Sequence, residues 1–206
     1  MNDILKILVE FFGYSLIAIG AQNAIFTRAL GLSSGMRMLN DPRKNTLYFC
    51  GALTVFQLMT SVIVYFVMPL ITAAGFGAYR RFVLPTVIVV ACTISYVVVI
   101  TLLSIIVSKA KFKELIQSVT SASITGTIVG TVLLTNYQGL TLLQSIGFGL
   151  GSSIGYLFAM LLISEGDRKI AHDKVPEALR GLPITLVYIS VLALAIYGLT
   201  GHAVAL

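Results

Sequence analysis

Five stretches of the chain carry no Asp, Glu, Lys or Arg: 11–27, 45–79, 82–108, 115–164 and 181–206. A helix that crosses the hydrocarbon core of a bilayer needs about 20 mostly apolar residues. The stretch 115–164 is long enough for two crossings, with TNYQG (Thr135–Gly139) as the turn signal inside it. The pattern therefore predicts six spans, roughly 4–27, 47–72, 82–107, 116–134, 140–163 and 183–204. A soluble fold is excluded by bulk. The 206 residues are 57% hydrophobic and 11% charged, against about 25% charged in soluble domains, and one core of this size cannot hide so much apolar surface. No stretch shows the alternation of a barrel strand. The expected fold class is an all-α integral membrane protein, with residues 1–206 as one membrane domain.

The charges that remain are placed unevenly. Arg28, Arg37, Arg43 and Lys44 fall between spans 1 and 2, Lys109, Lys111 and Lys113 between spans 3 and 4, and Arg168, Lys169, Lys174 and Arg180 between spans 5 and 6. Lys6, Arg80 and Arg81 fall on the other side. The positive-inside rule then predicts loops 1–2, 3–4 and 5–6 in the cytoplasm and both termini outside the cytoplasmic membrane. The net charge of +6 is thus a topology signal. No basic stripe is interleaved with aromatics, which excludes a nucleic-acid partner. The N-terminal MNDILKILVEFFGYSLIAIGA lacks a basic head, since Asp3 and Glu10 offset Lys6, so it is expected to be the first span, retained in the mature protein. Cys50 and Cys92 lie within apolar runs and read as small buried hydrophobes. Without CxxC spacing they make no metal site.

Six spans divide into three and three, about 1–108 and 109–206. Three is odd, so a duplicated half inserts upside down. The first span of each half is unusual. AIGAQNAIFTRALGLSSG (Ala18–Gly35) sets Gln22 beside Asn23 inside an apolar run, and SVTSASITGTIVGTVLL (Ser118–Leu134) is short and rich in Ser, Thr and Gly. Paired short or Gly-interrupted segments in matching places point to a functional site at the bilayer midplane. Helices 1 and 4 are therefore expected to be short or broken, with Gln22, Asn23, Ser123 and Thr125 as the candidate polar site. Adjacent amides bring donors and acceptors that lipid cannot satisfy, so they must face protein, water or a ligand. Ser123, Thr125, Gly126 and Gly130 also suit close helix packing through small residues.

Other features point less sharply. Gln57, Thr60 and Ser61 give span 2 a polar face that reads as interhelical glue, as do Thr93, Ser95 and Tyr96 in span 3. Pro85 sits one turn into span 3, where a kink costs little. Ser164–Gly181 is the one long hydrophilic stretch, expected as an amphipathic loop or short surface helix, with His172 and His202 solvated. No carboxylate lies deep in a span; Glu10 comes nearest. That argues against a carboxylate-based proton pump. No catalytic residues are found, and catalysis by this chain alone is not expected.

Several motifs together resemble the Rnf/Nqr membrane-subunit family, in its RnfA/NqrE branch. LLQSIGFGLGSSIGY (Leu142–Tyr156) is similar to that branch's fifth span, VPEALRGLPITLV (Val175–Val187) to its approach to the last span, and GLTGHAVAL to its ending. QNAIFTRALGLSS (Gln22–Ser34) is similar to the family's Asn-Asn motif, followed by a basic residue and Leu-Gly-Leu-Cys. The resemblance runs end to end. It implies a subunit of an ion-translocating electron-transfer complex that moves Na+ or H+, paired with an upside-down paralogue of the RnfE/NqrD type. It also implies that each partner gives two cysteines, from broken spans 1 and 4, to one intramembrane [2Fe–2S] cluster.

This chain departs at both ligand positions. The cysteine after Leu-Gly-Leu falls on Ser33. The cysteine four residues before a span-4 glycine falls on Gly126 when that glycine is Gly130. A serine hydroxyl stays protonated near pH 7 where the cluster needs a thiolate, and glycine offers no side chain. The chain by itself is expected to bind no cluster and no metal. The leading expectation is a subunit or degenerate paralogue in such a complex, serving as scaffold, partner dock or ion path. The alternatives are a small-solute or ion transporter, or channel-like module, reusing the inverted-repeat fold, and a purely structural membrane partner.

Overall fold

The structure is a computed structural model that describes residues 2–38, 43–170 and 175–200. Among the described residues it is helical, with no strand. The helices are α1 (Asn2–Ile19), α2 (Leu32–Met38), α3 (Arg43–Ala73), α4 (Arg80–Ile106), α5 (Lys109–Ser123), α6 (Gly126–Tyr137), α7 (Leu142–Lys169) and α8 (Leu182–Thr200). Helices dominate because an apolar chain in lipid must satisfy its backbone groups within the segment.

Four of these helices are long and apolar enough to cross a membrane: α3, a continuous stretch through α4 (Phe76–Ile106), α7 and α8. α5 and α6 together make a fifth, bent by 43° at their junction. The remaining expected span, the first at 4–27, corresponds to α1, which stops at Ile19 and carries Asp3, Lys6 and Glu10. By length and composition, then, the described helices account for four or five crossings; six are not established.

α7 organises the molecule. It begins with a capping box, in which the Thr141 hydroxyl accepts from the Gln144 amide while the Gln144 side chain accepts from the Thr141 amide. It is buried over far more of its length than α8. α1 lies along it in the same direction. A Cβ on Gly147 would meet the Phe11 carbonyl, one on Gly151 the Ser15 backbone, and one on Gly155 the Ile19 Cα at 3.0 Å. One glycine per turn lets the two backbones approach closely, and Ser15 Oγ donates across the contact to Gly147 O at 2.7 Å.

α3 crosses behind this pair and packs against α4, α5, α6 and α7. The core between them holds Phe49, Leu53, Phe56, Ile128, Tyr156 and Ile163. Large side chains on the outside, such as Phe82, Ile105 and Leu199, are exposed, as suits a lipid or partner surface. The hydrophilic stretch expected from Ser164 onward starts as helix, because α7 continues to Lys169. It is tied to α8 where Thr185 donates to Asp167 Oδ1 at 2.6 Å. His172 and His202 lie outside the described residues.

Candidate functional site

The first break in the helical framework spans Gly20 to Gly31. Its backbone bonds follow a string of turns of unequal width, among them Asn23 N to Gly20 O at 3.2 Å, Gln22 N to Ile17 O at 2.8 Å and Leu30 N to Ala24 O at 2.8 Å. Ala29 and Gly31 both take positive φ, 53° and 71°. Irregular backbone survives at membrane depth only when protein encloses it, and Asn23 through Phe26 are buried.

Asn23 is the staple. Its Nδ2 donates to Ile19 O at 2.9 Å and to Gly155 O at 3.0 Å. Its Oδ1 accepts from the amides of Ile25 at 3.0 Å and Phe26 at 3.2 Å. All four bonds of this amide go to backbone, two to amides of the break and two to the carbonyls of Ile19 at the end of α1 and Gly155 of α7, so it faces protein rather than an open site. Gln22 is half-buried, and its Oε1 has no partner among the described residues.

The second break is the Ile124–Thr125 junction between α5 and α6. The two breaks meet there. The Thr125 hydroxyl reaches Ser34 Oγ at 3.2 Å and Ser121 O at 3.3 Å. Tyr156 donates to Gly31 O at 2.9 Å. Gly31 leaves no room for a side chain: a Cβ would run into the Thr127 hydroxyl and lie 2.9 Å from the Tyr156 ring. Ser123 is less central, since its hydroxyl returns to Thr120 O at 2.8 Å. Ser123 and Thr125 line a cavity of about 370 Å3 with Cys92, Thr93 and Tyr96.

Beside the meeting point opens a polar pocket of about 580 Å3. Its walls include Ser33, Ser34, Arg37, Glu114, Gln117, Ser118 and Gly126. The structure thus brings Ser33 and Gly126, distant in sequence, to one pocket. Cys50 and Cys92 lie elsewhere: Cys50 is buried in the core, and Cys92 accepts from the Thr60 hydroxyl at 3.6 Å. Both are free thiols. Among the described residues no group of three or more His, Cys, Asp or Glu is placed to hold a metal ion.

At the other end of the bundle is a cavity of about 650 Å3, lined by Ser61, Arg80, Thr135, Asn136 and Ser145 among others. Arg80 is fixed at it by donating to Asn136 O at 3.1 Å and to Asn136 Oδ1 at 3.2 Å. Between the two openings lies a set of buried polar side chains that reading by span did not join up. Ser153 donates to Gln57 Oε1 at 3.0 Å, and the Thr131 and Ser152 hydroxyls lie 3.3 Å apart. The signal was present as Thr127, Thr131 and Thr135, one turn apart on one face, but only packing shows which helices they meet.

The sequence of residues 11–203 matches the family described as Rnf-Nqr subunit, membrane protein. Curated relatives include one subunit of an ion-translocating oxidoreductase complex from Aromatoleum aromaticum, 35% identical over 74 residues, which is 36% of this chain and 38% of that relative. One subunit of the Na(+)-translocating NADH-quinone reductase from Saccharophagus degradans is 34% identical over 76 residues, 37% of this chain and 38% of the relative. Its counterpart in the same type of reductase from Chlamydia trachomatis is 35% identical over 74 residues, 36% of this chain and 30% of the relative. The aligned stretches thus span less than two fifths of each of these relatives. The family match is far longer: it runs from the middle of α1 to beyond α8 and takes in both breaks, so this chain belongs to the Rnf-Nqr membrane-subunit family.

Proposed function

We propose that the chain is a membrane subunit of an ion-translocating electron-transfer complex of the Rnf/Nqr type, and that it holds no iron–sulfur cluster of its own. Its family and the names of its relatives support the first part. One observation carries the second. Ser33 and Gly126, where the resemblance places cluster cysteines, open onto one pocket whose walls offer hydroxyls, the amides of Asn45 and Gln117, Arg37 and Glu114 but no thiol. Neutral hydroxyls do not replace thiolates around iron, so a [2Fe–2S] cluster does not fit this donor set. The chain then serves as scaffold, docking surface and ion path for Na+ or H+. An inverted paralogue of the RnfE/NqrD type is the natural partner, and the exposed apolar faces of α4 and α8 offer it surface. In this reading both termini lie outside the cytoplasm, with loops 1–2, 3–4 and 5–6 inside it.

Purification of the tagged chain from its own cells in mild detergent tests both parts. Flavin- or iron–sulfur-bearing membrane subunits should co-elute, and the chain expressed alone should carry no iron. Elution without any such partner overturns the first part. One cluster for every two chains, lost on Cys50→Ser or Cys92→Ser, overturns the second.

A further inference from the structure

Four buried polar atoms have no hydrogen-bond partner among the described residues: Gln22 Oε1 in the first break, and Gln57 Nε2, Ser61 Oγ and Thr127 Oγ1 within the helices of the bundle. Gln57 and Thr127 are fully buried and Ser61 is 4% exposed. An unmatched buried polar group costs about 1–3 kcal/mol, so three in one small bundle call for a shared cause. They are also in line. Ser61 forms part of the wall of the Arg80 cavity, beside Thr135 and Ser145. Gln57 is one turn deeper on α3 and Thr131 one turn deeper on α6, where each meets a serine of α7: Gln57 meets Ser153 and Thr131 meets Ser152. Thr127 is a further turn along, against Gly31. Thr125 and Ser34 follow, and Ser34 lines the second pocket. The two openings are thus linked through the protein by neutral oxygen and amide groups, with unmatched atoms spaced along the way. Interhelical glue accounts for the matched pairs but leaves these three without a function.

We propose that this seam is a hydrated path for a small monovalent cation, closed at the Gln57–Ser153 contact. The proposal rests on the chain's place in an ion-translocating complex and adds the route. Neutral hydroxyl, carbonyl and amide oxygens suit a weakly held monovalent cation, which must leave as easily as it arrives. Between the Arg80 cavity and the pocket that holds Glu114 no carboxylate lies among the seam's named residues, so passage between the openings needs no titrating group. Water completes the hydrogen bonding of Ser61 and Thr127, and Gln57 Nε2 donates to the next water in line.

The test uses the full chain in lipid vesicles with Cys50→Ala and Cys92→Ala, carrying Ser61→Cys, Thr127→Cys or Ser34→Cys one at a time. The probe is a cationic, membrane-impermeant methanethiosulfonate. Ser61→Cys should react from the Arg80 face alone, and Ser34→Cys and Thr127→Cys from the opposite face alone. Adding Gln57→Ala should speed labelling of Thr127→Cys from the Arg80 face at least tenfold and raise radioactive Na+ uptake at least tenfold. If Ser61→Cys and Thr127→Cys react no faster than Cys50 of the unaltered chain, the path is overturned. Should the cysteine variants misfold, hydroxyl-radical footprinting of the unaltered chain decides. Tyr156, which touches the seam at Gly31, should oxidise at least fivefold faster than buried Phe49, and equal rates overturn the path. Labelling needs no partner chain, so its failure is distinct from a failure to co-purify a complex.

Discussion

At the scale of single residues, the side chain that stood out in the sequence proves to be structural. Asn23 is adjacent to Gln22 in an apolar run, which marks it as a group that lipid cannot satisfy. Its four hydrogen bonds show where that demand is met: two amides of the break itself, the carbonyl that ends α1 at Ile19, and one carbonyl of α7. Asn23→Ala should therefore lower the stability of the purified protein by about 2–4 kcal/mol, since several buried backbone groups lose their partner at once. A thermal melt in detergent measures this, and a loss below about 0.5 kcal/mol would show that the break holds without its staple. The type of residue was legible; its use was not, because Gly155 lies far away in the chain and only folding brings its carbonyl to Asn23. Gln57 teaches the converse. In the sequence it is one polar residue on a long apolar helix, and only its burial and its unmatched nitrogen set it apart.

At the scale of elements, the two broken segments were visible as pairs of short, small-residue stretches, and the structure breaks the chain in both places. Their bounds moved. The first helix ends at Ile19, eight residues before the apolar run does, because turns through Gly20–Gly31 satisfy the backbone without helix. Hydropathy cannot register such a stop, since Ala24, Ile25 and Phe26 are as apolar as any helix. The close pairing of α1 with α7 depends on Gly147, Gly151 and Gly155, and a side chain at Gly151 would meet the Ser15 backbone. Gly151→Leu should therefore separate the two helices and cost more than about 3 kcal/mol, beyond ordinary overpacking because backbone cannot move aside. Gly13→Ala is the control. Nothing lies within 4 Å of a Cβ there, and a helical Gly replaced by Ala should gain roughly 0.5–1 kcal/mol. Chemical denaturation of both variants in mixed micelles reads the contrast; equal stability would dismiss the glycine contact.

At the scale of the whole molecule, the proposed orientation rests on the charges of the loops. Arg28 and Arg37, Lys109 to Lys113, and Arg168 to Arg180 sit on alternate connections, so a reporter fused at the C-terminus should be active only outside the cytoplasm. Activity of a cytoplasmic reporter would reverse the topology. By itself the sequence determined the class of fold, an all-α bundle built for lipid, because bilayer thickness and the cost of bare backbone leave an apolar chain few choices. It also determined that both ligand positions of the resemblance lack cysteine, since that is a matter of residue identity alone. Tertiary structure decided the rest: that Ser33 and Gly126 share one pocket, that Asn23 is consumed by the break it sits in, and that Gln57, Ser61 and Thr127 line up between two openings. Those facts depend on which helix faces meet. Hydrophobicity in a membrane does not choose between faces as it does in water, so close packing and hydrogen bonding between helices had to make that choice.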